Sequence, residues 1–172
     1  MIRKAFLSFL AFALIAMPTV TQAQTTPKFG HINLQELLTA MPKVTAAKQQ
    51  IEAFGKPLEE ELQALMAEYK KKVEEYQIYY TTWPESIRKQ REGSIMQLEQ
   101  NIQAFQEEAT VEIEKKRTQL MEPIMNEVNA TIKAVALENG YTYIFDTSLG
   151  VLLYFAASDD ITPLVKRKLM IP

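Results

Sequence analysis

Two stripes of apolar residues with nearly the same period constrain this chain more than any other feature of its sequence. The first runs from Leu58 to Tyr80 in steps of three and four residues, and the second runs from Ile95 to Val135 in a similar way. Narrow stripes with this spacing are typical of the seam between two packed helices. Since only a short segment around Pro84 separates them, we predict a long antiparallel helical hairpin. Two unrelated amphipathic helices on a globular core would need wider apolar faces.

The predicted hairpin spans residues 43–122, with its tip near 81–84, and is called the arm. The tip carries the only tryptophan of the chain, close to three tyrosines. These four residues, the tip aromatics, are Tyr76, Tyr79, Tyr80 and Trp83. Two roles are open for them. They fasten one helix to the other, because a bare hairpin end would fray, or Tyr79 and Trp83 face outwards and contact another molecule.

Gly55 and Pro57 interrupt the helical pattern in the first half of the arm. Glycine loosens a helix, and proline removes a hydrogen-bond donor unless it begins a new helix. We therefore predict a hinge or a helix restart at Gly55 to Pro57, and a kink at Pro123. If opposed positions are symmetric about Thr82, Pro42 lies opposite Pro123, and the two prolines mark the point where the arm leaves a compact base.

The segments on either side of the arm, 24–42 and 123–172, differ from it in composition and together form the body. The first begins with an extended apolar stretch (25–34), which predicts a short strand, and a short helix then ends at Pro42. In the second, Gly140 is a typical left-handed helix terminator. We predict an α+β fold in which the long arm projects from a small β-barrel-like body.

The C-terminal part of the body predicts two more strands and a helix. YTYIFD (141–146) and VLLYFA (151–156) are rich in β-formers and flank a turn signal, so we predict a β-hairpin. Both faces of each run are largely apolar, which implies strands covered on two sides. A terminal helix is predicted after them, because Ser158, Asp159 and Asp160 can cap its first turn.

Three short strands and two short helices make a small core for a chain that also carries so long an arm. Oligomerisation through the body is the simplest way to cover its apolar strands. The residues that we expect in this shared body core are Ile32, Tyr143, Ile144, Phe145, Leu153 and Phe155.

The N-terminal segment 1–23 has the pattern of a secretory signal peptide. A basic start precedes a short apolar run (5–17), and small residues follow. We predict cleavage between Ala23 and Gln24 and hence a soluble, exported protein. An uncleaved anchor helix is the alternative, although the apolar run is short for a membrane span of about 20 residues. Because the chain has no cysteine, the exported protein gains no stability from disulfides.

The remaining composition gives little support for catalysis or nucleic-acid binding. Without residues 1–23 the chain has 17 basic and 21 acidic residues, a net charge near −4, whereas nucleic-acid binding needs a basic surface. His31 is the single histidine and has no motif around it, and helix capping accounts for Asp159 and Asp160. No phosphate-binding glycine loop or metal-ligand spacing is present in the sequence. We expect no enzyme activity, no cofactor and no metal.

Two groups of residues at the ends of the arm form a recognisable pattern. A Gly-aromatic-Val-Asn strand with following leucines and a proline corresponds here to Gly30, His31, Ile32, Asn33, Leu37, Leu38 and Pro42. An Asn-Gly-Tyr turn, an apolar hairpin and an Asp-Ile-Thr helix start correspond to Asn139, Gly140, Tyr141, Ile144, Asp146, Leu153, Tyr154, Asp160, Ile161 and Thr162. With a long Glu-, Lys- and Gln-rich hairpin between them, these residues resemble the Skp (OmpH-like) family of periplasmic chaperones. The resemblance covers essentially the whole chain after residue 23.

The resemblance implies a periplasmic homotrimer, in which trimerisation completes a small β-barrel body and three arms enclose a cavity. In the family, this cavity holds unfolded outer-membrane β-barrel proteins and prevents their aggregation without ATP. The tip aromatics then become candidates for contact with such clients. A second class of function stays open, that of a structural or adaptor coiled-coil protein of the cell envelope.

Two residue patterns depart from the family. His31 stands where the family has an aromatic residue. The arm is net acidic: from Lys56 to Arg117, ten Lys or Arg residues compare with thirteen Glu residues, a net charge of −3. Attraction to anionic lipid or lipopolysaccharide rests on basic charge. The sequence therefore argues against binding to a membrane or to lipopolysaccharide.

Overall fold

The computed structural model describes residues 26–171. In chain order it contains strand β1 (Phe29–Ile32), helix α1 (Leu34–Ala40), helix α2 (Pro42–Tyr79), helix α3 (Glu85–Asn139), strand β2 (Tyr143–Asp146) and helix α4 (Thr162–Lys168). Single turns of 3-10 helix lie at Thr147–Leu149 and Ala157–Asp159. The predicted signal peptide, with its cleavage position between Ala23 and Gln24, lies outside the described residues.

Helices α2 and α3 form the predicted antiparallel hairpin. The turn between them, residues 80–84, lies where the sequence predicts the tip. The carbonyl oxygen of Tyr79 closes the turn, since it accepts hydrogen bonds from the backbone N–H groups of Thr82 and Trp83, both at 3.0 Å. Helix α3 ends as predicted before Gly140, whose φ of +70° lies in the left-handed region. The apolar stripes are thus sufficient to predict both long helices.

Helix α2 continues through Gly55 and Pro57, so the predicted restart of a helix at Pro57 is wrong. An interior proline costs about 3 kcal/mol, but strong helix formers flank it and the apolar stripe holds α2 against α3. A Cβ atom at Gly55 would lie 3.6 Å from the side chain of Ile113, which shows how closely the two helices approach there. Pro123 likewise lies inside α3. Bending at these positions stays a prediction.

Near the body, the pairing of the two helices is shifted from the symmetric arrangement. Lys43 forms an ion pair with Glu127 at 2.7 Å, about one helical turn further along α3 than the level of Pro123. Closer to the tip, Lys72 Nζ donates to Ser94 Oγ at 3.4 Å. In an antiparallel pair each side chain leans towards the N-terminus of its own helix. Contacting residues therefore lie further along both helices than simple symmetry about the turn predicts.

Strands β1 and β2 form a two-stranded parallel sheet. Phe29 pairs with Tyr143 at one end, and Ile32 pairs with Asp146 at the other. Parallel strands need a long connection, and here the whole hairpin supplies it. Next to β1, an isolated bridge joins His31 to Asp160, and the backbone N–H of Ile161 donates to the carbonyl of His31 at 2.9 Å. The outer edge of β1 is thereby partly covered.

The predicted strand at residues 151–156 is absent, so the predicted C-terminal β-hairpin is wrong. After β2 the chain enters a 3-10 turn and reverses at Gly150, whose φ is +67°. The following residues run past the sheet without joining it. The outer edge of β2 stays unpaired in the described residues, but the segment does not join it. Its far end is held at β1 instead, where His31 Nε2 lies 2.9 Å from the carbonyl oxygen of Ala156.

The hydrophobic core lies entirely at one end of the molecule. It forms where α1, α4 and the ends of α2 and α3 near the body meet β1, and its most buried side chains are Leu37, Val128, Ile161 and Val165. Val44 and Ala47, at the base of the arm, belong to this core, and further along the arm Leu98 is the only other buried apolar residue among those described. The core therefore belongs to the body, whereas the seam of the arm is half-buried.

The start of α4 is stabilised by one of the predicted capping residues. Asp160 Oδ1 accepts hydrogen bonds from the backbone N–H and the hydroxyl of Thr162, at 2.8 and 2.6 Å. Ser158 and Asp159 instead lie in the preceding 3-10 turn. The Thr162 hydroxyl also accepts a hydrogen bond from the backbone N–H of Asn33 at 3.3 Å. This short network joins α4 to the end of β1.

Candidate functional site

One face of the small sheet carries a stack of three aromatic rings. Side chains two apart on a strand point to the same face, which places Tyr143 and Phe145 beside Phe29 of the neighbouring strand. The ring centroids lie 5.7 to 6.4 Å apart. All three rings remain substantially exposed. Such a cluster is large for an uncovered surface and is typical of a contact with another protein.

The segment 149–155 adds a second apolar surface close to the sheet. Leu153 is fully exposed and Tyr154 is 86% exposed. Leu149, Val151 and Phe155 are also exposed. An isolated exposed leucine needs no explanation, but a continuous run of large apolar side chains does.

His31 attaches the far end of this segment to the body. Its ring is 6% exposed, its Nε2 lies 2.9 Å from the carbonyl oxygen of Ala156, and its centroid lies 4.6 Å from that of Phe155. The carbonyl oxygen can only accept, so the imidazole donates from Nε2. This geometry gives His31 a structural contact. No sequence motif around His31 had indicated a catalytic role.

The residues predicted for the shared body core divide into two groups. Ile32 is buried within the chain, and Ile144 packs at the edge of the same cluster. The other four, Tyr143, Phe145, Leu153 and Phe155, are exposed. A role for those four in a core thus depends on a second molecule.

Asp146 is a structural residue that the sequence analysis named only as part of the family pattern. Its Oδ1 accepts hydrogen bonds from the backbone N–H groups of Ser148 at 2.9 Å and Leu34 at 3.3 Å. Partial burial acts to raise the pKa of Asp146, but these bonds and one from the Ser148 hydroxyl outweigh it, so the pKa lies below its usual value. The carboxylate thereby ties the end of β2 to the start of α1.

At the opposite end of the molecule, the tip aromatics pack on one another. Trp83 stacks on Tyr79 with centroids 5.6 Å apart and lies 6.3 Å from Tyr76. Tyr76 and Tyr80 meet edge to face at 5.6 Å. Tyr79 is 47% exposed and Tyr80 48%, whereas Tyr76 and Trp83 are half-buried. Tyr76 and Trp83 therefore form the inner pair of the cluster, and Tyr79 and Tyr80 form the outer pair.

Two arginines from the start of α3 cover this cluster. The guanidinium of Arg88 lies 5.1 Å from the ring centroid of Tyr80, and that of Arg91 lies 5.5 Å from the ring centroid of Trp83. Cation–π contacts at exposed sites contribute about 0.5–1 kcal/mol. Burial among these side chains, together with the nearby Glu92, raises the pKa of the Tyr76 hydroxyl. The tip is therefore fastened across both helices.

Two pockets lie one after the other along one side of the arm, beside the helical seam, and together they are called the groove. Its larger part, about 940 Å³, lies between α2 from Ile51 to Leu62 and α3 from Gln106 to Ile113. Its smaller part, about 530 Å³, lies nearer the tip, between residues 66–70 and 99–103. The sequence analysis missed this groove. The small residues Gly55 and Ala109 and the exposed glutamines of α3 were its signal.

The charged residues of the arm produce no strong electrostatic field of one sign, because many of them pair with a neighbour of opposite charge. Ion pairs within the arm join residues three or four apart on the same helix, as between Lys89 and Glu85 at 2.9 Å. Exposed pairs of this kind contribute only a few tenths of a kcal/mol. Within residues 26–171, no helix is long and apolar enough to cross a membrane. Across the same range no group of three His, Cys, Asp or Glu side chains could hold a metal ion.

The molecule combines a polar helical arm with a body that has uncovered apolar surface. This combination is typical of proteins that bind other proteins. Comparison with known families then identifies the class more closely. The family model of outer membrane proteins of the OmpH-like type matches residues 28–169. The chain belongs to the OmpH-like family, as the residue patterns at the two ends of the arm suggested.

Two relatives support this assignment. The chain is 23% identical over 152 residues to the chaperone protein Skp of Pectobacterium atrosepticum, and the alignment covers 86% of this chain and 88% of that protein. Its fold matches the crystal structure of a protein of Caulobacter crescentus CB15 described as an OmpH-like outer membrane chaperone, with a TM-score of 0.64, 14% identity and 84% of each chain covered. Family membership gives the chain a chaperone role, and proteins of the family are not enzymes.

Proposed function

We propose that this protein is an ATP-independent holdase of the periplasm, which binds unfolded outer-membrane β-barrel proteins between the arms of a homotrimer and keeps them from aggregating. A holdase needs a sheltered space with dispersed weak contacts, because its effect follows from mass action on the unfolded state. It does not need a catalytic site. The chaperone role of the family supports this proposal.

One observation supports the proposal more than any other: the body exposes apolar surface that residues 26–171 leave uncovered. The aromatic stack of Phe29, Tyr143 and Phe145 and the segment 149–155 lie at the same end of the molecule. Two further copies would supply the missing neighbours and give residues 151–156 a sheet edge to join. This arrangement supports the trimeric, barrel-like body predicted from the sequence.

The surface of the arm is mostly polar, in contrast to the apolar surface of the body. Such a surface is suitable for enclosing a client. The seam of the arm is closed within the hairpin, and its outer faces mix charged residues with isolated apolar ones such as Met66 and Val111. A continuous apolar wall would associate with other copies of itself. Three such arms on one body would surround a space without closing it off from water.

Dilution of a urea-unfolded outer-membrane barrel into buffer tests the proposal. The purified protein should suppress the light scattering of the aggregating barrel at about one trimer per barrel, without added nucleotide. No suppression at a tenfold excess would remove the holdase proposal. A soluble protein that aggregates through native-like association serves as the control, because a holdase of this kind should leave it unaffected.

A structural or adaptor protein of the cell envelope is the second candidate, and one observation favours it. Both long helices are continuous through Pro57 and Pro123, as a rigid spacer requires. Distances between spin labels at the tip and the body distinguish the two candidates. A hinge at Gly55 to Pro57 predicts a broad distribution that narrows in a Gly55→Ala, Pro57→Ala variant, whereas a spacer gives the same narrow distribution in both.

Binding to membranes or lipopolysaccharide is not part of the proposal. The arm carries a net charge of −3 between residues 56 and 117. Anionic lipid attracts basic segments by about 1 kcal/mol per Lys or Arg near the surface. Sedimentation with anionic vesicles at physiological salt should leave the protein in the supernatant.

A further inference from the structure

The groove on the arm has the dimensions and lining of a binding site for an extended peptide. Its two parts share one helical face, because their α3 residues repeat at steps of three and four. The lining of α3 is Glu99, Ile102, Gln103, Gln106, Ala109, Thr110 and Ile113. On α2 the groove spans residues 51–70, which corresponds to about 28 Å at 1.5 Å per residue.

The floor of the groove is apolar and its rim is polar with both signs of charge. Leu58, Leu62 and Ile102 are among the floor residues. On the rim, Glu59 and Glu99 alternate with cations such as Lys70. A ligand that matches this lining has one apolar side and one polar side, without a large net charge.

We propose that this groove binds one strand-length segment of an unfolded outer-membrane protein, in extended conformation and with its apolar side chains on the floor. An extended chain advances about 3.3 Å per residue, so a groove of about 28 Å accommodates roughly eight to nine residues. Membrane-spanning strands of β-barrels have about 9–11 residues and alternate between apolar and polar side chains. The groove therefore matches such a strand in length and in its two-sided character. This inference rests on the proposed holdase function and assigns it a subsite.

A permanent partner fits the same groove less well. Each side of a stable protein–protein interface contributes roughly 20–30 residues, and the two parts of this groove are lined by eleven and seven. Seven of these eighteen residues carry a charge or an amide, so the apolar contact is smaller still. Weak, reversible capture of a short segment agrees with this size, and it is what release of a client requires.

A pair of matched substitutions isolates the groove. Met66 lies in it and is half exposed, whereas Val111 is an exposed apolar residue of the arm outside it. Met66→Asp and Val111→Asp place the same charge at an apolar surface position on the same hairpin. The probe is a fluorescent ten-residue peptide with alternating apolar and polar residues, titrated into the purified protein and followed by anisotropy.

We expect Met66→Asp to weaken binding of the alternating peptide about tenfold and Val111→Asp to leave it within a factor of two. A peptide of the same composition with its apolar residues spaced for a helix should bind more weakly to the unaltered protein. A photoreactive residue at Gln106, in the groove, should crosslink to the peptide, and one at Gln100, outside it, should not.

Equal affinity of the two aspartate variants, or stronger binding of the helical peptide, would overturn the inference. Crosslinking from Gln100 as strong as from Gln106 would do the same. If suppression of barrel aggregation persists in Met66→Asp at unchanged potency while the peptide shows no preference for the groove, the subsite is wrong and the holdase function stands. If the unaltered protein neither suppresses aggregation nor binds the peptide, both fail.

Discussion

The arm and the body of this chain solve the same problem, the covering of apolar residues, in different ways. The arm closes its seam within one hairpin, and nearly every contact there joins α2 to α3. The body buries a small core on one side and leaves aromatic and aliphatic side chains uncovered on the other. The comparison suggests that the arm is complete as a single chain, whereas the body is completed by further copies.

The largest effect should come from the core of the body. Leu37 is fully buried, so Leu37→Ala should lower the free energy of unfolding by about 2–5 kcal/mol. The matched change in the half-buried arm seam, Leu65→Ala, should cost about 1 kcal/mol. Urea denaturation followed by circular dichroism measures both. Equal costs would show that the arm seam carries as much of the stability as the body core.

The exposed segment of the body should matter for assembly and not for the fold of the chain. Leu153 has no contact to lose within the chain, since it is fully exposed. Burial of a leucine at an interface contributes about 1.5–3 kcal/mol, so Leu153→Asp should dissociate the proposed trimer at micromolar concentration while helicity is kept. Sedimentation velocity detects the change. An assembly that survives this substitution would place the subunit contacts elsewhere.

At the tip, substitutions of an inner and an outer aromatic residue should distinguish two roles. One role is to hold the two helices together, and the other is to contact a client. Trp83→Ser removes the ring that links Tyr76 and Tyr79 and should cost about 1 kcal/mol locally, seen as faster hydrogen exchange at the ends of α2 and α3. Tyr79→Ser should leave exchange nearly unchanged but weaken retention of an unfolded barrel. Reversed outcomes for the two variants would mean that Tyr79 is the fastener.

The smallest effect should come from the carboxylate of Asp146. Hydrogen bonds hold its pKa below the usual value in the folded chain, so its contribution is present above about pH 4 and is lost as the pH falls through the folded-state pKa. Asp146→Asn should therefore cost about 0.5 kcal/mol at pH 7 and progressively less as the pH falls through the folded-state pKa. Thermal unfolding of both proteins across this range checks the trend; a difference that grows in acid would contradict it.

The contrast between the arm and the body also explains how much of the fold could be predicted from the sequence. The arm was predictable because the spacing of residues such as Leu58, Leu62 and Leu65 is a local signal that no distant partner alters. Pro57 misled the prediction, since seam contacts on both sides of it carry the helix across the missing hydrogen bond. At the tip, the four aromatics were found from composition, but only the structure shows which of them are half-buried.

The body was harder to predict because its strands depend on neighbours. VLLYFA has the composition of a strand, yet residues 151–156 form none, although the outer edge of β2 is unpaired in the described residues. The contact of Ala156 with His31 holds the end of this segment at β1 instead. Likewise, no local pattern shows that His31 contacts Ala156 across the fold. The groove of the arm escaped prediction because its lining comes from two helices whose relative register is fixed only by packing.

The mass of the purified protein in solution is the most direct test of the central claim, that the body is completed by further copies while the arm is complete in itself. Light scattering coupled to size-exclusion chromatography should give about three times the chain mass at micromolar concentration. A stable, fully helical monomer at the same concentration would contradict the claim, because the exposed surface around Leu153 and the aromatic stack would then need no partner copy.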